Sequence, residues 1–109
     1  EDVGIDIEKQ RDKILRIAHK FTPVEEYRSI ANASALVRKL TMVWTAKESI
    51  YKIVSEPGLS FLRHIRVEDF NMEAGRSTAR VLYREGESHF NTYFFEFEGY
   101  TCGYARRVP

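Results

Sequence analysis

Trp44-Thr45-Ala46-Lys47-Glu48-Ser49-Ile50-Tyr51-Lys52, together with the upstream Gly4-Ile5-Asp6-Ile7-Glu8, decides how the chain is read. On a strand, side chains alternate between faces, so Asp6 and Glu8 share one face while Ile5 and Ile7 share the other. On a helix, Glu48 and Lys52 stand one turn apart. A strand and a helix that bring these groups side by side gather three hard oxygen ligands and a lysine. That set suits Mg²⁺, which takes few carboxylates and keeps positions open for water and phosphate oxygens. The lysine then stands beside a diphosphate.

Outward from these runs, the chain divides into a helical half and a strand half. Val3 to Glu8 reads as a short buried strand. Ile14, Ile17, Ala18 and Phe21 recur at helical spacing and predict a helix from about Arg11 to Phe21. Thr22-Pro23-Val24-Glu25 offers a capping threonine, a proline at the first helical position and a glutamate at the third, which predicts a short second helix. Ser34 is placed to cap a third, longer helix ending near Val54. Along it Leu36, Leu40, Val43 and Ile50 form an apolar stripe, while Thr41, Thr45, Glu48 and Lys52 form a polar one. Pro57-Gly58 then ends the helical half.

Beyond Gly58 the period shortens to two. Ile65 to Glu73, Thr78 to Arg84, His89 to Glu98 and Tyr100 to Arg107 read as strands of an antiparallel meander. The third of these has aromatics on both faces and is expected at the centre. Strand, three helices, then a meander packed on the long helix is an α+β fold of one domain, residues 1–109. The first strand is expected to join the meander's sheet.

With 109 residues, 43% of them hydrophobic and 30% charged, the chain has an ordinary globular composition and room for a single core. The net charge of +1 excludes a nucleic-acid binder that works through a general basic field. Apolar runs fall short of the ~18 residues that a membrane helix needs. Cys102 is the single cysteine, which excludes an internal disulfide and points to a reducing, cytoplasmic setting. It reads as a small core hydrophobe, Trp44 as a core aromatic, and His19, His64 and His89 as structural or solvent-facing. The chain lacks an initiating methionine, which predicts a segment of a longer protein.

The two opening runs are similar to the signatures of the 4'-phosphopantetheinyl transferases, a G-[IV]-D-[IV]-E strand and a W-[ST]-x-K-E-[AS]-x-x-K helix. Gly58-Leu59-Ser60-Phe61 resembles that family's loop after the helix, and Lys20-Phe21 with Glu25 or Glu26 resembles its R/K-F…E segment. The resemblance extends roughly from Val3 to Phe70. Such proteins are either small single-lobe trimers, the holo-acyl-carrier-protein synthases, or chains of two fused lobes. The Asp6-x-Glu8 form resembles the second lobe of the fused, surfactin-synthetase type.

The resemblance implies transfer of the phosphopantetheine arm of coenzyme A to a serine of an acyl or peptidyl carrier protein. It implies Mg²⁺ held by Asp6, Glu8 and Glu48, with Glu48 also taking the serine proton. Lys52 would pair with the diphosphate, and Lys47 would contact the same region or brace the carboxylates. In the fused type the other lobe completes the pocket, so the chain is expected to be one lobe of a longer enzyme, to pair with copies of itself, or to have lost catalysis. A carrier-binding module without catalysis is the alternative, and a Mg²⁺-dependent diphosphate hydrolase a third reading. Arg11, Lys13, Arg16 and Lys20, with Arg38 and Lys39, form either a solvated face or a dock for an acidic carrier protein. Taken singly, an Asp-x-Glu pair and an i,i+4 Glu–Lys pair are ordinary surface features. Both signatures, complete and in order, reverse that weighting.

Overall fold

The computed structural model describes residues 2–109. It is α+β, with a five-stranded antiparallel sheet and one long helix across it. The strands are β1 (Val3–Lys9), β2 (Ile65–Val67), β3 (Arg76–Tyr83), β4 (Gly86–Phe97) and β5 (Tyr100–Arg107). Their order is β1-β5-β4-β3-β2, so the first strand joins the meander and β4 is central, as the pattern predicted. Short α1 (Ile14–Ile17) and α3 (Phe61–His64) flank the long α2 (Ala33–Val54). No helix among the described residues is long and apolar enough to cross a membrane.

The boundaries of α2 come from its caps. Asn32, rather than Ser34, closes the start: its side-chain oxygen accepts from the Ala35 amide at 2.9 Å. Ser55 ends the helix in a left-handed conformation, φ 53°. Val43, Ala46 and Ile50 are fully buried against the sheet, and each large aliphatic side chain contributes roughly 1.5–3 kcal/mol. Two glycines set how closely α2 lies. A Cβ at Gly4 of β1 would collide with the Ser49 carbonyl, and one at Gly103 of β5 with the Thr45 side chain. Thr41, Thr45 and Ser49 are buried there. Their hydroxyls donate to the Val37, Met42 and Gly103 carbonyls at 2.6, 2.8 and 3.1 Å, so a helix face with polar side chains packs without orphaned donors.

The region before α2 is less helical than its spacing predicts. Ile17 has φ −106° and ψ −5°, which breaks the expected helix into α1 and a 3₁₀ turn, Ala18–Lys20. That turn brings Phe21 into the core. Val24–Tyr27 is also a 3₁₀ turn. Thr22 does not cap it, since its hydroxyl lies 3.5 Å from the Tyr27 hydroxyl. β2 stops at Val67, because Phe70 leaves the sheet to stack on Phe94 at 5.0 Å. Lys39 follows it: this buried ammonium lies over the Phe70 ring, donates to the Phe70 carbonyl and reaches Asp69 at 3.3 Å. Lys39 is therefore not part of a solvated basic face.

β1 is not the buried strand its sequence predicts. Its helix-facing side carries Gly4, Asp6 and Glu8, and its hydrophobic side is open. Val3, Ile5 and Ile7 join Phe95, Phe97 and Tyr100 of β4 and β5 on the sheet face away from α2, each between 39% and 56% exposed. Cys102 pairs with Ile7 and Phe95 across this face and is half-buried rather than in the core.

Candidate functional site

The close approach that Gly4 permits carries Asp6 and Glu8 up to α2 at the level of Glu48. The carboxylates act on one another. Burial is the main cause that lifts Glu8 to about 7, and proton sharing with Asp6, the Asp6 charge and the Glu48 charge lift it further. A hydrogen bond from the Trp44 indole opposes this. Glu48 is raised as well, chiefly by burial, then by the Asp6 charge, against the pull of Lys52. Lys52 reaches across to β1, where Nζ donates to the Ile5 carbonyl at 2.6 Å and to Asp6 Oδ1 at 3.3 Å. The other Asp6 oxygen, Oδ2, is buried with no donor.

Asp6, Glu8, Glu48 and Lys52 thus form one electrostatic group, as the spacing predicts. The expected three-ligand cage is not preformed. No group of three Asp, Glu, His or Cys side chains among the described residues is arranged to hold an ion. The donor set nonetheless fits a hard divalent cation that takes one or two carboxylates and completes its shell with water and phosphate oxygens. With Glu8 ionised, Asp6 Oδ2 has no donor and supplies a buried acceptor that such an ion would satisfy.

Lys47 departs from expectation. It is 1% exposed, and Nζ donates to the Phe21 and Phe61 carbonyls at 2.7 and 2.8 Å. Consecutive helix positions point about 100° apart, so Glu48 reaches β1 while Lys47 ties α2 to two loops. Burial lowers its ammonium to about 8. Trp44 packs between Phe21 and Phe61 with ring centroids at 5.0 and 5.3 Å, half-buried at the edge of the core rather than inside it.

A cleft of about 390 Å³ opens beside Glu8. Its floor is Ile14, Ile17 and Trp44, and its rim is Lys9, Arg11 and Lys13. Sequence reasoning had put Arg11 and Lys13 on the polar side of a helix and had not joined Lys9 to them. The available signal was position: Lys9 ends the acidic strand, and Arg11 and Lys13 follow it directly. Arg38 instead forms a two-point ion pair with Glu96, both contacts at 2.8 Å, which locks α2 to β4.

A long helix laid on a five-stranded antiparallel sheet, with carboxylates meeting a lysine at their contact, defines a lobe of the phosphopantetheinyl transferase class. The chain matches the family described as the 4'-phosphopantetheinyl transferase superfamily over residues 2–105, and it belongs to that family. Phosphopantetheinyl transfer, with coenzyme A as substrate and a divalent metal, is the chemistry of the family as a whole. No curated protein matches the chain.

Proposed function

We propose that the chain carries the metal-binding and proton-transfer half of a holo-carrier-protein synthase. In this reading a carrier-protein serine attacks the phosphorus that bears the pantetheine arm of coenzyme A. The new bond joins serine Oγ to phosphorus, the bond to the bridging diphosphate oxygen breaks, and adenosine 3',5'-bisphosphate leaves. The observation that supports it most is the meeting of Asp6 and Glu8 with Glu48 across the Gly4 contact.

Asp6, Glu8 and Glu48 are the proposed ligands of Mg²⁺, which when bound offsets negative charge on the diphosphate. Glu48, whose carboxyl is raised by burial and by the Asp6 charge, accepts the serine proton. Lys52, half-exposed and loosely paired, turns to the departing phosphate. The cleft beside Glu8 suits an arm with an apolar stretch and a phosphate at its end, given its apolar floor and basic rim. Lys47 acts as a brace and touches no substrate. An acyl or peptidyl carrier protein is the proposed acceptor.

The open sheet face extends the reading. Six large side chains, each roughly half exposed, present on the order of 500 Å² of apolar surface, against ~800 Å² per partner in a stable interface. A second lobe, or a second copy, is the proposed cover. The test of activity is a mass increase on an apo carrier protein mixed with coenzyme A, Mg²⁺ and the chain. Carrier binding without any mass increase would favour the alternative, a non-catalytic carrier-binding module. The absence of a preformed three-ligand group among the described residues is the observation that favours that module.

A further inference from the structure

Arg66 of β2 and Arg80 of β3 stand directly opposite each other in register, and His89 of β4 stands opposite Arg80. Like charges directly across a strand pair repel. Arg66 is relieved by Glu68 at 3.5 Å and Glu26 at 3.8 Å, while His89 contacts Glu87 at 2.9 Å. Arg80 has no hydrogen bond or ion pair among the described residues, and its Nε is buried. A buried guanidinium N–H without an acceptor is costly, and the fold retains one directly opposite a second guanidinium.

Arg80 lines a groove of about 160 Å³ that shares no residue with the cleft at Glu8. Lys47, Arg63, His64 and Arg66 also line it, and Glu26 is its one carboxylate. Two of these groups have donors to spare. Lys47 uses two of its three N–H bonds on carbonyls. His64 Nδ1 accepts from the Ser60 amide at 2.7 Å, so the ring proton sits on Nε2 and is free to donate. Paired guanidinium forks match the geometry of a phosphate better than that of any neutral ligand.

We propose that this groove, between the β2–β3 edge and the Thr22–Glu26 segment, binds a phosphate group, with Arg80 as its central contact. The anion offsets the Arg66–Arg80 repulsion. Its source is either free phosphate or a phosphate monoester carried on a larger molecule.

Arginine Nε–Hε resonances, followed by NMR on the intact chain during titration with sodium phosphate, test the site. The Arg80 signal is expected to move and saturate, while sodium chloride at matched ionic strength leaves it in place. Arg80→Gln weakens phosphate binding about tenfold, and Arg63→Gln, on the exposed rim, about threefold. Arg16→Gln, away from the groove, leaves it unchanged. Saturation by both inorganic and methyl phosphate assigns a carried phosphate, and saturation by inorganic phosphate alone assigns the free ion. A shift that never saturates or that chloride reproduces, or a phosphate titration of the Arg66 signal that Arg80→Gln and Arg63→Gln leave undiminished, overturns the proposal.

Discussion

Gly4 lies so tightly beneath the Ser49 carbonyl that no side chain fits between β1 and α2, and a Cβ there would stand 2.8 Å from the Ser49 carbonyl carbon. The obstacle is backbone, which cannot swing aside as a flexible side chain would. The same contact sets the height of Asp6 and Glu8 against Glu48.

Gly4→Ala is expected to cost about 2 kcal/mol by overpacking and to lower carrier-protein modification about a hundredfold by parting the carboxylates. Urea melts and a mass-based activity assay check both. A variant with full activity would disconnect this contact from the proposed chemistry.

Glu48→Gln and Asp6→Asn are expected to lower the transfer rate by about two orders of magnitude or more while the chain stays folded. Circular dichroism and the mass assay read the two properties separately. Retained activity in both variants removes the assigned roles.

Glu8 gives a pH signature. Its folded-state value, about 7, lies above the ordinary 4.5, so its contribution to stability is complete below 4.5 and is lost as pH rises through 7. Glu8→Gln is expected to flatten that loss. Above pH 7, Mg²⁺ is expected to raise the melting temperature of the parent chain and to have little effect on Glu8→Gln. Equal Mg²⁺ shifts in both would place the ion elsewhere.

Lys47 behaves oppositely. Its folded value of about 8 lies below 10.5, so between these limits the unfolded chain holds the extra proton and stability rises with pH. The full gain is about 3 kcal/mol. Measurements belong below pH 10, because Tyr27 is raised by burial, and its unfolded form ionises first above that point and destabilises the fold. Lys47→Met is expected to abolish the rise. It also leaves the Phe21 and Phe61 carbonyls unpaired, at about 1–3 kcal/mol each.

The parent chain is expected to self-associate at ~10 μM, and Phe95→Glu to shift it to monomer. Light scattering decides. A parent chain that is monomeric at that concentration excludes a second copy as the cover of the open face.

The meander, its central strand and the long helix were legible because β3 and β5 alternate, β4 carries aromatics on both faces, and α2 keeps its apolar stripe from Leu36 to Ile50. Alternation made the pairing of Asp6 with Glu8 legible and helical spacing that of Glu48 with Lys52, while the meeting of the two pairs needed the strand and helix to be adjacent, which only the resemblance implied. Lys47 was misread for the opposite reason. Whether a helical lysine meets solvent depends on where Phe21 and Phe61 bring their carbonyls, and no local spacing encodes that. The burial of β1 was misjudged in the same way, since Ile5 and Ile7 read as core residues until the sheet shows which of its faces α2 covers. The break at Ile17 and the early end of β2 both follow from long-range aromatic packing by Phe21 and Phe70.

Lys52 has a further effect through its bond to the Ile5 carbonyl, because β1 is the outermost strand of the sheet. Outermost strands invite stray chains to add on, and a positively charged group on such a border discourages it. One side chain thereby serves as a guard against aggregation as well as a candidate for chemistry, and exchanging it for a neutral residue would leave the protein stickier as well as slower.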